Sequence, residues 1–154
     1  MNGGGVGLPL LQRMIASPWA ADVALLLLRA SLGGLMVALH GWGKLMDVAT
    51  RTAGSAVEFA DPLGIGALPS LAIAAAIEGV GSLLLIAGIA TRPVAASLAF
   101  TMAVAFFGVH GGGFGADDGG EVPFLYMAGF TALALAGGGR IALWPRRGPV
   151  AQRP

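Results

Sequence analysis

Residues Ala67–Ala90 read ALPSLAIAAAIEGVGSLLLIAGIA, a run with one ionisable side chain, Glu78. An α-helix needs about 20 apolar residues to cross the hydrocarbon of a bilayer at about 1.5 Å rise per residue. This run has the length, and Thr91-Arg92-Pro93 closes it with a basic residue and a proline placed to open a further helix. The stretch predicts a membrane-spanning α-helix. Working outward, Ala21–Leu39, Val94–Val109 and Val122–Gly138 repeat the pattern, and only the first of them carries charges, Asp22 at its edge and Arg29 within it.

Composition agrees with lipid as the solvent. The chain is 56% hydrophobic and 11% charged, where a soluble domain carries about 25% charged residues. A larger core cannot absorb the difference, because a chain of 154 residues keeps much of its surface exposed. The prediction is an all-α, membrane-embedded, antiparallel four-helix bundle with spans at about 21–40, 67–90, 93–110 and 122–138. Residues 21–140 form the bundle. Residues 1–20 are a cytoplasmic or interfacial lead-in, with a short helix lying on the membrane around Leu8–Ala16, and 141–154 a basic cytoplasmic tail. Asp22 and Arg29 bracket only the six apolar residues Val23–Leu28, too few for a cleavable signal, so the first span is retained. Thr50–Ala60 is expected to hold a short interfacial helix.

Basic residues set the orientation. Arg13, Arg92, Arg140, Arg146, Arg147 and Arg153 fall on the side of the termini, against Lys44 and Arg51 on the other. Both termini are therefore expected in the cytoplasm. Trp19, Trp42 and Trp144 sit at predicted span ends, where aromatic residues meet lipid headgroups. A net charge of +1 excludes a strongly basic nucleic-acid surface. The absence of cysteine excludes disulfides, thiolate metal sites, iron–sulfur clusters and dithiol redox chemistry.

A charge at mid-membrane turns inward to a partner. Arg29 lies 11 residues before His40 and Glu78 lies 11 residues after Ala67, so each falls about 16 Å below the external boundary. The expectation is an Arg29–Glu78 ion pair, which either fixes helix register alone or also faces a substrate path; the alternative is that Arg29 snorkels to the cytoplasmic headgroups. Ala30, Gly34 and Ala38 on the first span, and Ala75 and Gly79 on the second, are expected to let the helices approach closely. Helical spacing places Arg29, Gly33, Met36 and His40 on one stripe, a candidate cavity wall. Lys44 joins it only if the helix continues through Gly41 and Gly43.

His40 and His110 end the first and third spans on the external side, near Lys44, Glu58, Asp117, Asp118 and Glu121. One reading is a quinone-type site, with His40 or His110 exchanging protons with a carbonyl or hydroxyl oxygen, Lys44 binding an anionic oxygen and Glu78 relaying a proton. Two imidazoles with carboxylates suit a metal, and one or two suit a haem. A fourth reading has both imidazoles simply at the interface, where polar residues belong. Spacing alone does not choose among them. Gly112–Asp117 matches half of a calcium-binding nonapeptide, but one copy cannot stack into a β-helix. Ser97 and Thr101 share a helix face and read as interhelical hydrogen-bonding groups.

Taken in order, these landmarks resemble the DoxX family of small bacterial membrane proteins. The resemblance begins at Leu28-Arg29-Ala30 and runs through Gly33 to His40-Gly41-Trp42-Gly43-Lys44-Leu45. It continues with Ile77-Glu78-Gly79-Val80-Gly81, Leu83–Gly88, Thr91-Arg92, Met102–Ala105, Val109-His110 and Gly120-Glu121-Val122-Pro123. It covers roughly Leu25 to Arg140. Gly139–Leu143 departs from the family's expected Ser-Leu-Asp ending, so a role for that acid has no counterpart here. The resemblance implies a four-helix protein of the bacterial cytoplasmic (inner) membrane. It also implies an oxidoreductase, or a subunit of one, linked to quinones or catechols or to sulfur-handling enzymes.

The family's polar positions would fall on Arg29, His40, Lys44, Glu78, Arg92, His110 and Glu121. In the quinone reading His40, Glu78 and His110 are the catalytic candidates, and Arg29, Lys44, Met36 and Glu121 the substrate-binding ones. No haem, flavin or iron–sulfur motif maps onto the chain, no metal site is assigned, and a quinone is the cofactor or substrate that suits. Expected partners are the bilayer, a redox protein and further copies of the chain. A non-enzymatic scaffold and a small-molecule carrier are the alternatives.

Overall fold

The computed structural model describes residues 18–51, 56–115 and 119–144. These form four helical rods, with no strand among the described residues. They are α1 (Trp19–Thr50), α2 (Ala67–Ala87), α3 (Thr91–Val109) and α4 (Glu121–Ala136). The first three are long and apolar enough to cross a membrane. The fourth is apolar but shorter, 16 residues or about 24 Å.

The first helix departs most from expectation. It does not end at His40 but continues through Gly41 and Gly43 to Thr50, a rod of 32 residues and about 48 Å. Of the interfacial helix expected over Thr50–Ala60, residues 52–55 lie outside the described residues and 56–60 are irregular. The lead-in before residue 18, with the helix expected around Leu8–Ala16, and the tail from residue 145 lie outside the described residues.

Each of the first three rods contains a π-helical stretch, Val37–Gly41, Ala75–Gly81 and Ala105–Val109. There the backbone hydrogen bonds lengthen by one residue. Trp42 N–H donates to the Val37 carbonyl and His110 N–H to that of Ala105, at 3.0 Å. Such bulges shift the side chains that follow onto a new face and occur often at functional sites. Here the first holds His40, the second holds Glu78, and the third stops one residue before His110.

The rods alternate in direction and close into a bundle. Gly33 of α1 lies against Ser82 and Ile86 of α2, and Gly41 against Glu78 and Gly79. A Cβ on Gly41 would come within 2.6 Å of the Gly79 Cα, so the two backbones touch there. The expected small-residue stripe Ala30, Gly34 and Ala38 is not this interface. Ala30 and Ala38 are exposed, and a Cβ on Gly34 would meet nothing within 4 Å. Ala75 and Gly79 of α2 are buried, as close approach requires. α3 and α4 pack most extensively, around a core of Met36, Leu85, Leu98, Met102, Phe130 and Leu133.

Two arginines cap helix ends across the bundle. Arg29, fully buried, donates Nη1 to the carbonyls of Leu85 and Ile86, each at 3.4 Å, and Nη2 to that of Ile141. Arg92 donates to the carbonyl of Leu135 at 2.7 Å, near the end of α4. The last carbonyls of a helix lack intrahelical partners and carry partial negative charge, so a guanidinium suits both needs. Leu143 and Trp144 N–H complete the end of α2 by donating to Ala87 and Gly88. Asp22 then holds the same strap by accepting from the Arg140 N–H at 2.8 Å. Gly88 adopts φ +75°, and any Cβ there would strike Arg29 and Ala142, so only glycine fits beneath the strap.

Candidate functional site

The predicted Arg29–Glu78 ion pair is not the pair that forms. Glu78 is bound by Lys44, whose ammonium donates to Oε2, while Arg29 is committed to the carbonyls at the end of α2. The physical reason is register. Depth counted back from His40 misplaces the top of α1, which lies at Thr50. Lys44 is then the cation at the level of Glu78, and Arg29 lies near the opposite end of α2.

Lys44 and Glu78 form part of the wall of a cavity of about 260 Å³. α2 supplies Ile73, Ala74 and Ile77, and α3 supplies Phe100, Thr101 and Val104. The segment after α1 covers it with Phe59, Pro62, Leu63 and Ile65. Around one buried carboxylate and one half-buried ammonium the lining is almost wholly apolar. The Lys44 ammonium also stands 5.8 Å from the centre of the Phe59 ring, within range of a cation–π contact.

The cover is fixed against both α2 and α3. Asp61 accepts hydrogen bonds from the N–H groups of Gly66 (2.8 Å) and Ile65 (3.0 Å) and from the Ser70 hydroxyl (2.9 Å). The Gly66 N–H foremost, with Ser70 and Ile65, holds the Asp61 carboxyl below the usual carboxylate range. At the other side Pro62 lies against Gly108, where a Cβ would come within 2.9 Å of it.

Of the seven residues singled out from sequence, only Lys44 and Glu78 line this cavity. Met36 is wholly buried in the core. His40 is half-buried and meets Tyr126 of α4 edge-on, ring centres 5.9 Å apart. His110 packs on the backbone beyond α3, where a Cβ on Gly119 would approach its ring to 3.3 Å. Glu121 is exposed in the first turn of α4. Among the described residues no three His, Asp or Glu side chains gather as a metal site would require. Ser97 and Thr101 do not bridge helices through a hydroxyl donor; each donates to the carbonyl four residues earlier on α3.

The apolar walls were not identified from sequence. Phe59-Ala60-Asp61-Pro62-Leu63-Gly64-Ile65 carries the missed signal, a phenylalanine, a leucine and an isoleucine in a connection otherwise expected to be polar.

A family model described as DoxX matches residues 24–111. The chain is also similar to a protein of Haemophilus influenzae described as uncharacterized, at 35% identity over 113 residues. That match covers 70% of this chain and 79% of the relative. No solved structure matches the chain significantly.

Proposed function

The chain belongs to the DoxX family of membrane proteins, and we propose that it binds a quinone or quinol as a subunit of a membrane redox assembly. The observation that carries this reading is the Lys44–Glu78 pair set into an otherwise apolar cavity. A quinone head is flat and apolar with carbonyl acceptors at its rim. The Lys44 ammonium can donate to such an oxygen, and the Glu78 carboxylate can accept from the hydroxyl of a quinol. Phe59 and Phe100, both in the lining, are aromatic surfaces for the head to pack on.

Reduction of a quinone to a quinol takes two electrons and two protons. In this reading Glu78 passes protons, and a partner dehydrogenase supplies the electrons, because a cysteine-free chain has no dithiol of its own. His40 and His110, away from the cavity, serve as polar groups on the route to the external water. The accompanying topology has both termini in the cytoplasm, α4 as a fourth crossing and the cavity in the external half of the bacterial inner membrane. The excess of arginine on the side of the termini supports that orientation. The outward-facing Ala30, Gly34 and Ala38 favour a second role, close packing against a partner helix or another copy.

The test is equilibrium binding of a short-chain benzoquinone to the protein in nanodiscs. Saturable binding weakened at least about tenfold by Glu78→Gln and by Lys44→Met, and little changed by His110→Gln, is the expected outcome. Absence of saturable binding to the wild-type protein overturns the reading.

A further inference from the structure

The cavity lies between α2 and α3 and beneath the segment Phe59–Ile65. That segment is latched to α2 through Asp61 and rests on α3 through Pro62, with its Leu63 and Ile65 56% and 47% exposed. The cavity's outer walls are exposed. Phe100 of α3 is 61% exposed and Ile73 of α2 is 50% exposed, whereas Glu78 at the inner end is 3% exposed. Exposure thus falls from the outer surface of the α2–α3 pair inward to the ion pair.

Depth decides what lies outside that opening. Ile73 stands six residues inside the start of α2 at Ala67, and Phe100 nine residues inside the end of α3 at Val109. At about 1.5 Å per residue these positions lie about 9 and 14 Å below the helix ends. A hydrocarbon core is about 30 Å thick, so the opening faces acyl chains. Thr101, half-buried on the α3 wall, donates its hydroxyl to the Ser97 carbonyl, so its one donor is satisfied within the helix.

We propose that this cavity fills sideways from the bilayer, between α2 and α3, with a lipid-dissolved amphiphile. Its flat polar head reaches Lys44 and Glu78, and its apolar tail stays between the two helices in lipid. The identity of the head rests on the quinone reading above; the lateral route does not. The route implies a ligand class, long-tailed molecules that never leave the membrane, and sets aside water-soluble quinones and catechols as the ordinary ligands.

The chain has no cysteine, so a single reporter thiol can be placed at will. Ala74→Cys on α2 and Thr101→Cys on α3, each labelled with bimane in nanodiscs, report from the two walls, and Leu135→Cys on the exposed face of α4 reports full lipid contact. Two positions guard against one variant failing to fold. Brominated lipid should quench the wall labels to an extent comparable with Leu135→Cys, and aqueous iodide only weakly. Quenching by iodide but not by brominated lipid overturns the lateral route, as does quenching by neither. If brominated lipid quenches but no benzoquinone binds, the route stands and the quinone head group falls.

Discussion

Lys44 and Glu78 face each other across α1 and α2 as a cation and an anion held in a largely apolar wall. Glu78 is almost wholly buried, while Lys44 keeps part of its side chain exposed. An ion pair so placed contributes little net stability over a matched apolar pair, because both charges gave up water to form it. Removing one partner is a different matter, since it strands the other charge.

Lys44→Met is therefore expected to destabilise the protein by about 3 kcal/mol, the low end for breaking a buried pair. The double variant Lys44→Met with Glu78→Leu should recover most of that loss. Thermal unfolding of the variants in the same detergent measures both. A double variant no more stable than Lys44→Met alone would argue against a stranded carboxylate as the cause.

Arg29 ties α2 to the strap after α4, through Leu85, Ile86 and Ile141. Arg29→Met should cost about 3 kcal/mol, because buried carbonyls lose a charged donor. Hydrogen exchange at the Leu143 and Trp144 amides, which donate to Ala87 and Gly88, should accelerate. Arg29→Lys should fall between, as one ammonium cannot span the carbonyls a guanidinium fork reaches. Glu78→Gln should leave those two amides unchanged, since its partner lies elsewhere.

Helix approach depends on particular glycines. Gly41→Ala places a methyl group against the Gly79 Cα and should cost about 1–3 kcal/mol by forcing α1 and α2 apart. Gly34→Ala, with nothing within 4 Å, should be neutral in the monomer. Alanine exceeds glycine in helix propensity, so a comparable loss in both variants would show that the Gly41 contact is not what sets these costs.

The cover over the cavity should loosen in acid. Asp61 has its carboxyl held below the usual range, so the charged form is bound more strongly in the folded loop than in the unfolded chain. The sign follows: its stabilisation is fully present above the ordinary carboxylate pKa and is lost as pH falls through the depressed value. Protection factors at Ile65 and Gly66, whose N–H groups donate to Asp61, should be higher near neutrality and fall in acid once the intrinsic exchange rate at each pH is divided out. Asp61→Asn should remove that extra acid response.

Much was legible in the chain because the bilayer imposes a one-dimensional rule. Long apolar runs become helices wherever backbone groups have no water to bind, so Ala67–Ala87 and Thr91–Val109 could be read from sequence nearly to the residue. The resemblance likewise reached the family through an ordered series of short motifs, and Lys44 and Glu78 were among its polar positions. The top of α1 was not legible. Gly41, Gly43 and Lys44 weaken the apolar signal there, yet the helix continues, because Gly41 packs directly on the α2 backbone and Lys44 finds Glu78.

Sequence by itself determined the helices, the membrane as their solvent and the need for each buried charge to find a partner. Only the tertiary structure decided which partner. Register between antiparallel helices depends on where each begins and ends and on the extra residue each π-helical stretch inserts. The ten residues from His40 to Thr50 amount to about 15 Å along α1, half the thickness of the hydrocarbon. The cavity was decided in the same way, because its walls come from α1, the connection after it, α2 and α3, and it is the gap their packing leaves.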